Sequence, residues 1–207
     1  MLNYRWIDEL GLARSPLAVG DVPFKLAICG LEELPQQIGR FRATHAISIC
    51  DPNVKLLPAF HAATTVLRLG FWDAPALPAG VAQSLSPHER DEYPSLHHAR
   101  TLLHFGSELP DGARVLIHCW AGISRSTAAA FLLLCQRMPG RERAALKMVC
   151  KLRKGASPNR MLVGYGDQLL GADGRMLAAL DDKDVGKKKK KKKRQMVNTP
   201  SFGLMGW

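Results

Sequence analysis

The chain has 207 residues, enough for one domain and a tail, and 46% of them are hydrophobic, enough for a sizeable core. The net charge of +11 is concentrated: Lys187 to Arg194 are eight consecutive basic residues, and removing them from the 29 Lys and Arg leaves 21 against 18 Asp and Glu. That near-balance excludes a general nucleic-acid face on the body, which also lacks zinc-finger spacing and the aromatic strand pattern of RNA binders.

The first 23 residues carry only a weak pattern. Asp8, Glu9 and Arg14 break any signal-peptide core, and no apolar run along the chain approaches the length of a membrane span. Phe24 to Cys29 reads as a strand turned by Gly30. Leu31, Leu34, Ile38 and Phe41 have helical spacing. His45 to Cys50 is a second strand, stopped by Asp51-Pro52-Asn53, and Thr64 to Leu69 a third. Phe71-Trp72-Asp73 follows, then a loop with Pro and Gly through Pro87. Ser95 to Leu109 has the apolar stripe of a helix lying on a sheet. Asp111-Gly112 turns into Val115-Leu116-Ile117, a buried strand, and Thr127 to Leu134 reads as a buried helix. Further helices are expected over 141–153 and, capped by Ser157 with Pro158 at its first position, to about Leu170. Met176 to Leu180 closes the body. This order predicts an α/β fold: a central, mostly parallel sheet flanked by helices, its loops meeting at the carboxyl ends of the strands. It is a single domain over 1–180, with 181–207 expected to be a disordered lysine-rich tail.

The chemistry concentrates at the strand–loop–helix junction His118-Cys119-Trp120-Ala121-Gly122-Ile123-Ser124-Arg125-Ser126. Such a junction aims backbone N–H groups and the positive end of a helix dipole at one point, and successive loop amides form an anion-binding nest. That field favours a thiolate at Cys119. The planar fork of Arg125 grips two oxygens of a tetrahedral dianion. Gly122 permits a positive φ or a close approach. Ser126 places a hydroxyl near the sulfur.

These residues resemble the signature loop of the cysteine-dependent protein tyrosine and dual-specificity phosphatases: His-Cys, five residues, Arg, then Ser or Thr. The inner Ala121 to Ser126 is most similar to the dual-specificity branch, and the stretch from roughly Phe24 to Leu170 resembles a bacterial-type tyrosine phosphatase. The resemblance implies a phosphatase-like fold and hydrolysis of phosphotyrosine or mixed phosphoamino-acid monoesters through a phosphocysteine. Cys119 is the implied nucleophile. The amides of residues 120–125, with Arg125, hold the phosphoryl oxygens, and Ser126 assists the leaving thiolate. His118 orients the loop. Phe71-Trp72-Asp73 resembles the family's aromatic-then-Asp acid loop, so Asp73 is the candidate proton donor. Its 46-residue distance from Cys119 is long for the family, with 74–87 as the insertion. Asp91, 28 residues before Cys119, is the rival. Ser157-Pro158-Asn159 resembles a Pro-Asn segment that braces the loop, and capping explains Asn159 equally well. No cofactor or metal is implied; His97, His98 and His104 read as a solvated helix face.

Five cysteines, Cys29, Cys50, Cys119, Cys135 and Cys150, are an odd number without a Cys-x-x-Cys, which points to a reducing compartment such as the cytoplasm. Cys50 ends a strand and reads as a small core residue near Cys119; the phosphatase resemblance also implies the alternative of a reversible, protective disulfide between such a neighbour and Cys119. The expected partner is a phosphorylated protein or small phosphate ester. Specific nucleic-acid binding and a transmembrane segment are not expected. The Lys187 to Arg194 tract leaves room for weak contact with an anionic surface. Rival readings are a rhodanese-like or arsenate-reducing thiol enzyme, disfavoured by the Cys-to-Arg step, and a non-catalytic phosphoprotein-binding module.

Overall fold

The structure is a computed structural model and describes residues 22–54, 58–74, 76–77, 84–86, 89 and 91–182. Four strands, β1 (Lys25–Cys29), β2 (His45–Cys50), β3 (Thr65–Gly70) and β4 (Arg114–His118), form one sheet in the order β1-β4-β2-β3. Every pairing in it is parallel. Strands of such a sheet are covered on both faces, and the continuous apolar run of β4 fits its central place: Val115, Leu116 and Ile117 are fully buried.

Alternation along β4 divides the core into two layers. Leu116 faces the smaller one, with Cys29 and Leu34, under α1 (Leu34–Phe41). Val115 and Ile117 face the larger one, built around α3 (Arg125–Arg137) with α2 (Leu96–Ser107), α4 (Glu142–Leu152), α5 (Arg160–Leu169) and α6 (Arg175–Asp181). Helix α3 is buried from Arg125 to Cys135. It contacts β4 as well as α2, α4 and α5, so water reaches none of its faces and no polar stripe is needed in its sequence.

The expected helix start at Ser157 is corrected. Helix α5 begins at Arg160, and its cap is Asn159, whose side-chain oxygen accepts from Leu162 N at 3.0 Å. Ser157 is drawn away because its N–H donates to Ile123 O, 3.0 Å distant, tying this segment to the signature loop. At the end of the body, Asp181 pairs with Arg160 at 2.5 Å and Asp182 with Arg143 at 2.6 Å. The lysine tract, like the first 21 residues, lies outside the described residues. No helix among the described residues is long and apolar enough to cross a membrane.

Candidate active site

The loop from Cys119 to Ser124 joins the carboxyl end of β4 to the first residue of α3, Arg125. Its tight path depends on Gly122, at φ 73°. A β-carbon there would also stand 2.5 Å from the carbonyl carbon of Cys29 and 2.6 Å from Gly30 N. Contacts so short do not occur, so the loop's packing against the end of β1 requires glycine. Thr127 Oγ1 closes the first turn of α3 by donating to Ile123 O and, at 2.9 Å, to Ser124 O.

Cys119 lies at the floor, 2% exposed. Its sulfur accepts from Gly122 N at 3.3 Å and is 3.2 Å from Ser126 Oγ. One backbone N–H donates to the sulfur and one hydroxyl lies within hydrogen-bond reach of it, an arrangement suited to a thiolate. Arg125 is 3% exposed and tied on one side: Nη1 donates to Asp51 Oδ1 at 2.6 Å and to Phe71 O at 2.7 Å. Its Nε is buried without a hydrogen-bond partner and stands 3.9 Å from Asp73 Oδ2. Leaving a buried N–H unpaired costs about 1–3 kcal/mol, so this edge of the guanidinium is poised for an incoming oxygen. Cys119, Arg125, Trp120, His118, Cys50 and Asp51 all line one cavity.

His118 is completely buried beneath the loop, with Nε2 2.8 Å from Ser48 Oγ. Burial, foremost, pushes its pKa down to about 4, so the ring is neutral and serves as a hydrogen-bonding brace. A second brace crosses the outside. Arg153 donates to both carboxylate oxygens of Glu33, at 2.9 and 2.7 Å, and to Ala121 O at 2.9 Å, while Glu33 Oε2 accepts from Gly30 N at 2.7 Å. The Arg153 hydrogen bond holds the Glu33 carboxyl below its ordinary range.

Asp73 reaches the same mouth although it lies far away in sequence. Its Oδ1 accepts from Ser124 Oγ at 2.6 Å and from Asn159 Nδ2 at 3.0 Å. The amide of Asn159 therefore works at both ends. Its oxygen caps α5, and its nitrogen holds Asp73 and, at 2.8 Å, Ala74 O. The loop before Asp73 is clamped as well, with Trp72 N donating to Glu92 O at 2.7 Å and Trp72 Nε1 to Glu92 Oε2 at 3.2 Å. Asp91 is exposed, and its charge raises the pKa of His98, against the burial that brings that ring down to about 4. Most of the stretch expected as an insertion, 74–87, lies outside the described residues: 75, 78–83 and 87.

All five cysteines are free thiols. Cys50 is half-buried with its sulfur 3.8 Å from Ser48 Oγ. Cys29 pairs in register with His118, and burial, then the Glu33 charge, pushes its thiol up to about 12. Among the described residues no three His, Cys, Asp or Glu side chains gather as a metal site. Asp51 and Ser48 are absent from the sequence-based set. Asp51 reads there only as a strand stop, and Ser48 as strand interior.

No family model matches the chain. The dual specificity protein phosphatase 15 of Mus musculus is 33% identical over 93 residues, 45% of this chain and 32% of that protein. The same protein of Rattus norvegicus is 29% identical over 137 residues, 65% and 48%. The chain thus spans less than half the length of these curated relatives, both of them mammalian. Among solved structures, the Yvh1 phosphatase domain of Chaetomium thermophilum has 22% identity and a TM-score of 0.49, covering 77% of this chain and 95% of its own. The crystal structure of DUSP15 has 21% identity and a TM-score of 0.48, covering 78% and 94%. With a complete Cys-to-Arg signature loop at the carboxyl end of its central strand, and with these curated matches, the chain is similar to the dual-specificity protein phosphatases.

Proposed function

We propose that the chain hydrolyses phosphotyrosine or mixed phosphoamino-acid monoesters by way of a phosphocysteine. The observation that carries this reading is the pairing, in one cavity, of a doubly hydrogen-bonded Cys119 sulfur with the unpartnered Nε edge of Arg125. The substrate's phosphoryl group sits on the amides of residues 120–125 and on Arg125. The Cys119 thiolate attacks phosphorus, the S–P bond forms, and the bond to the ester oxygen breaks. Asp73 delivers its proton to that departing oxygen. Water then attacks the phosphocysteine, Asp73 takes the proton back, and sulfur leaves as a thiolate that Ser126 Oγ–H stabilises. No bound metal or cofactor enters these steps. Phosphorylated protein is the partner in this reading, and a thiolate nucleophile suits a reducing compartment such as the cytoplasm. The Lys187 to Arg194 tract adds weak, salt-sensitive adhesion to anionic surfaces.

Replacing the nucleophile is the direct test. Cys119→Ser is expected to abolish turnover of an aryl phosphate while retaining vanadate binding, because the amides and Arg125 remain. Substantial residual turnover in a correctly folded Cys119→Ser protein contradicts the mechanism.

A further inference from the structure

We propose that Arg153 is a positioning residue for the thiol: by holding Ala121 O from outside the loop, it turns the Gly122 N–H onto the Cys119 sulfur. The inference rests on the reading of Cys119 as the nucleophile of such a phosphatase. Its physical basis is one peptide plane. The Ala121–Gly122 bond is trans, so its C=O and N–H point in opposite directions. The oxygen accepts from Arg153 Nη2 at 2.9 Å, and the nitrogen donates to Cys119 Sγ at 3.3 Å. Fixing one end of the plane fixes the other. Glycine alone does not fix it, because Gly122 accepts φ of either sign and lets the plane turn over. In the turned state the N–H leaves the sulfur and a carbonyl oxygen faces it, which repels a thiolate.

Neighbouring carbonyls of the loop are secured differently. Trp120 O accepts from Leu31 N at 2.8 Å, Ile123 O from Ser157 N at 3.0 Å, and Ser124 O from Ala128 N at 2.9 Å. Each of those donors is a backbone N–H, supplied by the fold whatever the side chains are. Ala121 O is held by a side chain from the end of α4, so this plane depends on residue type. Arg153 is itself set in place. Its N–H closes α4 by donating to Val149 O at 2.9 Å, and its Nη1 lies 2.9 and 2.7 Å from the two Glu33 carboxylate oxygens. Glu33 in turn accepts from Gly30 N at 2.7 Å. A tether thus runs from the turn after β1, through Glu33 and Arg153, to the peptide that faces the sulfur. The Glu33 side chain is 45% exposed and that of Arg153 21%, so neither is a core residue on which folding depends. Charge alone gives Glu33 the opposite role. Burial first, and then the Glu33 charge, raises the nearby Cys29 thiol. A carboxylate imposes that sign on any thiol close to it. Acting on Cys119 only by charge, Glu33 would slow its reactions, and Glu33→Gln would speed them; as part of the tether it does the reverse.

The test is the rate at which iodoacetamide alkylates Cys119 in the full chain, read by peptide mass, for wild type, Arg153→Ala and Glu33→Gln. Thermal unfolding verifies that each is folded. At about pH 6, Arg153→Ala is expected to label about tenfold more slowly than wild type, the scale of one charge-assisted hydrogen bond, and Glu33→Gln several-fold more slowly. Both gaps are expected to narrow toward about pH 9, where a thiolate forms without the extra donor. Turnover of an aryl phosphate is expected to fall in parallel. Wild-type labelling of Arg153→Ala, or labelling of Glu33→Gln as fast as wild type or faster, overturns the positioning role and leaves the phosphatase reading standing. A gap that stays constant with pH marks blocked access rather than a lost donor, and overturns it as well. A wild type that turns over no aryl phosphate, while the labelling follows the expected pattern, overturns the phosphatase reading instead and leaves the tether in place.

Discussion

Arg125 Nη1 lies 2.6 Å from Asp51 Oδ1, so the guanidinium proposed to hold the substrate is already anchored by a carboxylate 74 residues away. The tie fixes the fork in the plane that leaves Nε free. It also places a negative charge at the edge of an anion site, which weakens ground-state binding of phosphate. Asp51→Asn separates the two effects. It is expected to lower kcat on an aryl phosphate about tenfold, the scale of one lost charge-assisted hydrogen bond, while phosphate binds no more weakly. Steady-state kinetics with phosphate as product inhibitor measures both, and an unchanged kcat shows that Phe71 O alone aims the fork.

Asp73→Asn is expected to lower turnover of phosphotyrosine by about two to four orders of magnitude, and that of esters with strongly acidic leaving groups far less. Asn159→Ala removes the amide that holds Asp73 and caps α5. The same leaving-group dependence is expected from it in weaker form, with a stability loss of about 1 kcal/mol from the cap. Asp91→Asn is expected to behave as wild type. The reverse pattern, loss in Asp91→Asn and none in Asp73→Asn, assigns the proton to the other carboxyl.

Two glycines with nearly the same backbone geometry make a controlled comparison. Gly122 has φ 73° and would clash with the end of β1, whereas Gly140 has φ 76° and nothing within 4 Å of an added β-carbon. Gly140→Ala is expected to lower stability by about 1–2 kcal/mol, the backbone cost alone, with activity intact. Gly122→Ala is expected to abolish activity, because the loop cannot lie against Cys29. Thermal unfolding and turnover measured side by side distinguish them.

Two imidazoles, His98 and His118, are held neutral, each brought down to about 4 chiefly by burial. The unfolded chain protonates them near 6.5. Between those values the unfolded state binds more protons than the folded one, so stability is full above about pH 6.5 and declines as pH falls toward 4. Each histidine contributes a slope of up to about 1.4 kcal/mol per pH unit in that window. Denaturant melts at pH 7 and pH 5 read the loss. His98→Phe, which keeps a ring against Phe71, is expected to reduce it, and an identical pH dependence in that variant shows that His98 is not a source.

What the sequence makes legible follows the distance over which each interaction acts. Residues 118–126 form one continuous stretch, so the candidate nucleophile, the amides and the arginine are visible together, and strand and helix patterns on either side give their setting. Asp73 is visible because it follows a strand whose carboxyl end must face the same edge. Asp51 is not, since its tie to Arg125 crosses the sheet and Asp-Pro-Asn reads fully as a strand stop. The cap of α5 is misread for a related reason. Ser157-Pro158 satisfies the local rule for a helix start, but a hydrogen bond from Ser157 N to Ile123 O, far away in sequence, overrides it. Residue type shows that Asn159 has two polar ends; only the fold shows that they serve two elements.

The strand order has a consequence for how the molecule comes into being. β1 and β2 do not touch each other as strands; each hydrogen-bonds to β4, the last of the four to be synthesised. Until Arg114 to His118 arrive, the described part of the growing chain holds one strand pairing, β2 with β3, while β1 lacks its β4 neighbour. The strand that zips the sheet together is also the one that leads into Cys119. A half-made chain therefore carries no half-working pocket: closing the sheet and assembling the cradle are one event, and a nascent chain stalled before Arg114 is left with exposed strand edges and no chemistry.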